Sequence, residues 1–213
     1  MELTSLAMAL VDCDEDLAVR LVQERLENGN AAQEILDDCS SGMIELGERF
    51  SKEEVFLPDL MYGGMILKNI TTILEPYLSK NEGSVNKNRP VAVIGTVQYD
   101  IHDIGKDIVV MMLRGAGFEV IDLGVDVPPE KFVEAIQKYH PCVVGMSLLL
   151  TTSYKSVEAT VALLKSVGVR DAVKLAVGGA AASQLLANTH GIDFYGKNAV
   201  DTMRYACKIA GIA

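Results

Sequence analysis

The chain has 213 residues, of which 49% are apolar and 23% charged, and its formal net charge is −10. That length allows one large domain or two small ones, and the apolar share is ample for a core. The acidic balance argues against nucleic acid, whose phosphates such a surface repels.

Residues 1 to about 80 show only helical periodicity. Leu3, Leu6, Leu10 and Val11 predict a short first helix. Asp14 is placed to cap a second, with Leu17, Ala18, Leu21, Val22 and Leu26 on one face and Gly29 past its end. Ile35, Leu36, Cys39, Met43, Leu46 and Phe50 form the stripe of a third. Pro58 stands at the first position of a fourth, whose apolar set includes Met61, Met65, Ile66, Ile70, Ile73 and Leu74. Met43, Met61 and Met65 read as core filling. Four amphipathic helices with short connections predict a small bundle over 1–80. Residues 81–89 are polar and read as an interdomain linker.

From Pro90 to residue 213 the pattern alternates between strand and helix. Strands are predicted at 91–97, 119–123, 142–149, 173–177 and 193–195, and helices at 105–115, 129–139, 154–167, 181–189 and 198–210. Five such units predict an α/β domain with a five-stranded parallel sheet in the flavodoxin-like (Rossmann-like) order 2-1-3-4-5. Strands 1 and 3 are then neighbours, and the crevice between their carboxyl ends is where ligands bind. Asp100 and His102 fall on the loop after strand 1, and Ser147, Leu149, Thr151, Thr152 and Ser153 lie at and beyond the end of strand 3. A histidine in such a loop can act as a general base or a metal ligand. A carboxylate two residues earlier can hold one imidazole nitrogen and leave the other for a metal.

Other signals are weaker. Gly105-Lys106 is not a phosphate-binding P-loop, because Asp107 follows the lysine and no hydroxyl is placed for magnesium. No G-x-G-x-x-G follows strand 1, no serine sits in G-x-S-x-G, and no second His or Cys lies at zinc spacing from His102. Gly178-Gly179 reads either as a tight turn or as a close approach to a bulky ligand. His140 and His190 read as solvent-facing helix ends. Cys13, Cys39, Cys142 and Cys207 form no C-x-x-C. With no signal-peptide pattern and no apolar run of membrane length, they fit reduced thiols in a cytoplasmic protein without a membrane partner.

Taken in order, Asp100-x-His102-x-x-Gly105, Ser147-x-Leu149 and Gly178-Gly179 resemble the signature of methylcobalamin-binding domains. The family writes it D-x-H-x-x-G, S-x-L and G-G, with about forty and just under thirty residues between the pieces. Here the gaps are 41 and 28 residues. Phe50 through Leu57-Pro58-Asp59-Leu60 resembles the F-x-x-x-x-x-F-L-P stretch of the family's helical cap domain. The chain is thus similar to the small corrinoid proteins of one-carbon methyltransferase systems and to the B12 modules of methionine synthase.

The resemblance implies a cobalamin or related corrinoid cofactor whose cobalt alternates between methyl-Co(III) and Co(I). His102 would be the lower axial ligand of cobalt and Asp100 its hydrogen-bond partner, with Ser153 as the third member of that relay. Asp103, Ile104 and Gly105 would complete the motif loop beneath the corrin. Ser147, Leu149 and Thr151 would line a slot for the displaced nucleotide tail, and Gly178 and Gly179 would let the tail pass. Phe50 and Leu57 would cover the reactive face. Tyr99 departs from the family, which usually has Gly there, and a Tyr does not readily take a left-handed backbone.

The function implied is that of a methyl carrier, with little activity alone. It would be loaded by a substrate:corrinoid methyltransferase, unloaded by a corrinoid:tetrahydrofolate or coenzyme M methyltransferase, and rescued by a reductive activator. A B12-dependent sensor or regulator is the alternative, ranked lower because the chain is acidic and has no DNA-binding module. An adenosylcobalamin mutase subunit would lack the helical cap.

Overall fold

Short polar side chains cap several of the helices. The computed structural model describes residues 3–78 and 89–212. In it Thr4 caps α1 (Ser5–Val11) and Asp14 caps α2 (Glu15–Glu27), each side chain accepting the N–H three residues on. Two longer helices follow, α3 (Ala32–Ser51) and α4 (Leu57–Leu78). At the start of α4 the Asp59 carboxylate accepts the Phe56 N–H at 2.8 Å. The region read as a linker, 81–89, lies outside the described residues except for Arg89. The described residues fall into two compact units: the first ends at Arg89 and takes in Gly115–Gly117, and the second starts at Pro90.

In the first unit α1 crosses α3 at Gly42, where a Cβ would lie 2.6 Å from the Ala7 carbonyl oxygen. Ile35, Leu36, Cys39, Met43 and Leu46 of α3 are buried, as are Leu60, Ile66, Leu67, Ile70 and Leu74 of α4. Met43 fills the core as expected, but Met61 and Met65 are 53% and 64% exposed. The reason is helical geometry. Leu60, Leu67 and Leu74 recur every seventh residue along the packed stripe, while Met61 and Met65, four apart, share the face beside it.

The second unit is a five-stranded parallel sheet in the order β2-β1-β3-β4-β5. Its strands are β1 (Val91–Thr96), β2 (Glu119–Asp122), β3 (Val143–Ser147), β4 (Lys174–Gly178) and β5 (Phe194–Gly196). Between and after them run α5 (Ile104–Gly115), α6 (Pro129–Tyr139), α7 (Tyr154–Ser166), α8 (Gln184–His190) and α9 (Ala199–Ala210). β3 stops at Ser147 rather than 149 because the Leu149 and Leu150 N–H groups leave the ladder for Asp100. α8 starts at Gln184 rather than 181 because Ser183 caps it, accepting the Leu186 N–H. His140 ends α6 as an exposed left-handed cap, and His190 is the last, half-buried residue of α8.

Alternation along the strands divides the sheet's faces. Val93, Val144, Met146, Leu175 and Val177 belong to one core with Phe132 and Ile136 of α6, Val157 and Leu164 of α7, and Leu186 of α8. Phe132 is fully buried against Gly95, where a Cβ would lie 3.1 Å from its ring. The residues between, Ile94, Gly145, Ala176 and Gly178, face the other way and are mostly small. Phe132→Ala should cost about 3–5 kcal/mol by urea unfolding with an unchanged denaturant slope. A loss under about 1 kcal/mol would show that Phe132 does not anchor this core.

Candidate functional site

The buried carboxylate of Asp100, 1% exposed, is the centre of the site. Its Oδ1 accepts His102 Nδ1 at 2.7 Å and the His102 backbone N–H at 3.1 Å. Its Oδ2 accepts the N–H groups of Leu149 at 2.7 Å and Leu150 at 3.1 Å. One side chain therefore ties the loop after β1 to the loop after β3. Burial pushes the Asp100 pKa up, but the Leu149 N–H, the His102 ring and the remaining two N–H groups outweigh it and hold the carboxyl below the usual range.

With Nδ1 engaged, Nε2 of His102 keeps its lone pair on a ring that is 48% exposed. The loop is held from beneath by Thr96, whose hydroxyl donates to the His102 carbonyl at 2.9 Å. Ile101 and Ile104 are about 70% exposed beside His102, and Leu149 and Leu150 are partly exposed on the facing loop. A planar apolar ligand with a metal at its centre suits such a surface.

Tyr99 is where expectation fails. It adopts φ +66°, in the left-handed region, with its ring 74% exposed. A Tyr backbone there costs about 1–2 kcal/mol, so neighbouring contacts must hold it. Its N–H donates to the Asp126 carboxylate at 2.7 Å.

Beside this loop a cavity of about 330 Å³ opens at the carboxyl ends of β1, β3, β4 and β5. Ile94, Gly145, Ser147, Ala176 and Gly178 form its floor, and α5 and the start of α9 its sides. The two adjacent glycines have different reasons. A Cβ on Gly178 meets only the Gly196 carbonyl oxygen, at 3.4 Å, so the missing side chain leaves space. Gly179 is at φ +105°, and a Cβ there would lie 2.1 Å from the Leu148 oxygen, so the backbone itself demands glycine. Of the three residues expected along the slot, Ser147 lines the cavity. Leu149 and Thr151 lie on the loop beyond the strand end.

Ser153 is fully buried and its Oγ has no hydrogen-bond partner among the described residues. It does not bond Asp100, whose oxygens take four N–H groups. Asp103, Ile104 and Gly105 are exposed at the start of α5, and Gly105 also borders the cavity. Phe50 and Leu57 are half-buried residues of the first unit.

Sequence reasoning passed over several site residues. Lys106 is 3% exposed, with its ammonium 2.5 Å from Asp107 and 2.8 Å from Asp122. Burial lowers its pKa, but the bonds to Asp107 and Asp122 outweigh that and raise it. Tyr195, Lys197, Asn198 and Thr202 line the far side of the cavity. Asn198 alone carried a local signal, as the cap before a helical run.

A half-exposed imidazole bonded at one nitrogen, a buried carboxylate behind it, an apolar rim and a slot floored by glycine fit a cofactor that presents a metal and a long appendage. The protein belongs to the B12-binding family: the B12 binding domain model matches residues 90–204, and a second B12 binding domain model matches residues 2–75. It is a corrinoid-binding protein. Among its relatives, trimethylamine corrinoid protein 1 of Methanosarcina acetivorans is 38% identical over 92% of this chain and 90% of its own. Dimethylamine corrinoid protein of Methanosarcina barkeri is 36% identical over 96% and 95%. A cobalamin-binding protein from Desulfitobacterium hafniense superposes with a TM-score of 0.81 at 33% identity, covering 96% of this chain and 97% of that one. A chain of the methanol:cobalamin methyltransferase complex of Methanosarcina barkeri superposes with a TM-score of 0.84 at 28% identity, covering 98% and 79%.

Two substitutions separate the glycines. Gly179→Ala should cost more than about 2 kcal/mol by urea unfolding, whereas Gly178→Ala should stay within about 1 kcal/mol and yet weaken hydroxocobalamin binding at least about tenfold. Equal effects in the two variants would contradict the division. For the buried ammonium, Asp122→Ala should cost about 2–3 kcal/mol and Lys106→Met less than half of that, because only the first leaves a buried charge, with the exposed Asp107 carboxylate as its one remaining partner here. The same denaturation curves check it, and the reverse order would refute it.

Proposed function

We propose that the protein is the methyl-carrying corrinoid component of a one-carbon methyltransferase system, working in the cytoplasm. The observation that carries the reading is His102, held at Nδ1 by a buried carboxylate with Nε2 left open, at the mouth of a glycine-floored slot. When bound, the corrinoid supplies a cobalt centre able to take up and give up a methyl group.

The chain's own residues then have defined tasks. His102 Nε2 would hold the cobalt of a bound corrinoid. Asp100 raises the basicity of that nitrogen and fixes the plane of the ring. The Asp100–His102 pair would thereby give the protein a means to adjust that hold. Gly178, Ser147 and the small residues around them receive the displaced nucleotide tail. Ser153 supplies a buried hydroxyl with bonding capacity to spare. Shielding the corrinoid's reactive face from water and oxidants is the role proposed for Phe50 and Leu57.

A carrier needs partners rather than a substrate pocket. One methyltransferase delivers the methyl group, and the relatives' names point to methylamines or methanol as the donor class. A second takes it to tetrahydrofolate or coenzyme M, and a reductive activator restores oxidised cobalt. Charge supports docking through the helical half. Residues 1–80 hold sixteen Asp and Glu against six Lys and Arg, whereas the rest of the chain holds thirteen of each. Such an acidic surface steers towards basic patches on partner enzymes.

His102→Ala, loaded with cobalamin, is expected to show a base-off visible spectrum and to lose nitrogen coupling in the paramagnetic resonance of its Co(II) form. An unchanged spectrum would remove His102 from the metal. Methylation of the wild-type holoprotein by a methylamine or methanol methyltransferase, followed by transfer to either acceptor, tests the carrier role. No methyl uptake from any such donor enzyme would count against it.

A further inference from the structure

Tyr99 and Asp100 are gripped on both flanks from outside their own loop. The Tyr99 N–H donates to Asp126 Oδ1 at 2.7 Å, and the Asp126 N–H donates to the Asp100 carbonyl at 2.9 Å. Both residues have positive φ, +66° at Tyr99 and +52° at Asp126. The loop carrying Asp126 is fixed against the end of β1 by further bonds. Thr96 N–H donates to the Gly124 carbonyl at 3.0 Å, and Val127 N–H donates to the Thr96 carbonyl at 2.9 Å. Val97 and Val127 also form a parallel bridge beyond the strand ends.

A tyrosine in the left-handed region persists only where its surroundings over-determine it. Here the fixed acceptor for its N–H is a carboxylate anchored to the neighbouring loop. Without that acceptor, Tyr99 gains by returning to negative φ. The turn of its peptide would swing Asp100, the next residue, whose carboxylate must meet four N–H groups at once. His102 would lose its partner at Nδ1.

We propose that Asp126 is a positioning residue for the Asp100–His102 pair. It acts through left-handed Tyr99 to hold the imidazole where Nε2 can bind the corrinoid cobalt. The inference rests on the reading of His102 as the cobalt ligand. It assigns to a side chain outside the signature motif the task of keeping that motif in shape around a residue that is not glycine.

The test uses the full-length protein loaded with cobalamin and reduced to Co(II), with nitrogen coupling in paramagnetic resonance and the base-on visible band as readouts. Asp126→Gly keeps a backbone at ease with positive φ and removes only the carboxylate. It should raise the base-off fraction at least about fivefold, a shift near 1 kcal/mol in the coordination equilibrium. Asp126→Asn keeps an acceptor oxygen and should stay within about twofold of wild type. Tyr99→Val, a β-branched residue that resists the left-handed region, should lose coupling although Asp126 is intact. Tyr99→Gly combined with Asp126→Gly should recover the base-on form, since glycine needs no brace at that position. Circular dichroism confirms that each variant is folded, and Tyr99→Val keeps the test decisive if Asp126→Gly is not.

Full coupling in Asp126→Gly or in Tyr99→Val overturns the proposal, as does an undiminished loss in the double variant. His102→Ala separates the two levels. If it retains the nitrogen coupling, the ligand reading fails and the inference with it. If it loses the coupling while Asp126→Gly and Tyr99→Val keep theirs, the inference alone fails.

Discussion

Everything at the ligand-binding edge of the sheet depends on the four hydrogen bonds received by the Asp100 carboxylate. A buried carboxylate without partners costs several kcal/mol, so the loops that donate to it are not free to drift. Two of the donors come from its own loop and two from residues 149 and 150, which follow a different strand. They can meet because β1 and β3 are neighbours, in register from Ala92↔Val143 to Thr96↔Ser147. The topology thus brings two distant segments together, and the carboxylate locks them. The imidazole is oriented as a by-product of the lock, with one nitrogen spent and the other presented.

The same sheet serves two purposes on its two faces. One face is closed by Val, Leu, Met and Phe packed into a buried core. The other is thinned to Gly145, Ala176 and Gly178 near the strand ends, so that space remains between α5 and α9. Leaving such space forgoes packing energy that larger side chains would supply. A slot kept open at that cost fits a protein whose cofactor appendage becomes part of its own interior.

Helical and strand periodicities were legible from local order, and they placed the described α-helices and strands to within a few residues. The strand order also followed, since four right-handed crossovers with one reversal leave few alternatives. Where the elements ended was less legible. The ends of β3 and the start of α8 are set by where backbone N–H groups find acceptors, at Asp100 and Ser183. Met61 and Met65 read as core because they are apolar and helically spaced, but a helix apolar on more than one side buries only the side its neighbours reach.

Spacing by itself determined that an aspartate and a histidine sit two apart on a loop at the carboxyl edge of a parallel sheet, with a second polar loop and a glycine pair at the matching edge. Those are properties of neighbours along the chain and of the period of each element. Only the tertiary structure decided that Asp100 takes N–H groups from residues 149 and 150, that Gly179 answers to the backbone and Gly178 to the cavity, and that Asp126 holds Tyr99 left-handed. It also decided that Lys106 is buried in an ion pair with Asp122. Each of these, the approach of Gly179 to Leu148 included, joins segments from 16 to about fifty residues apart, and its energy depends on distances that no one-dimensional period encodes.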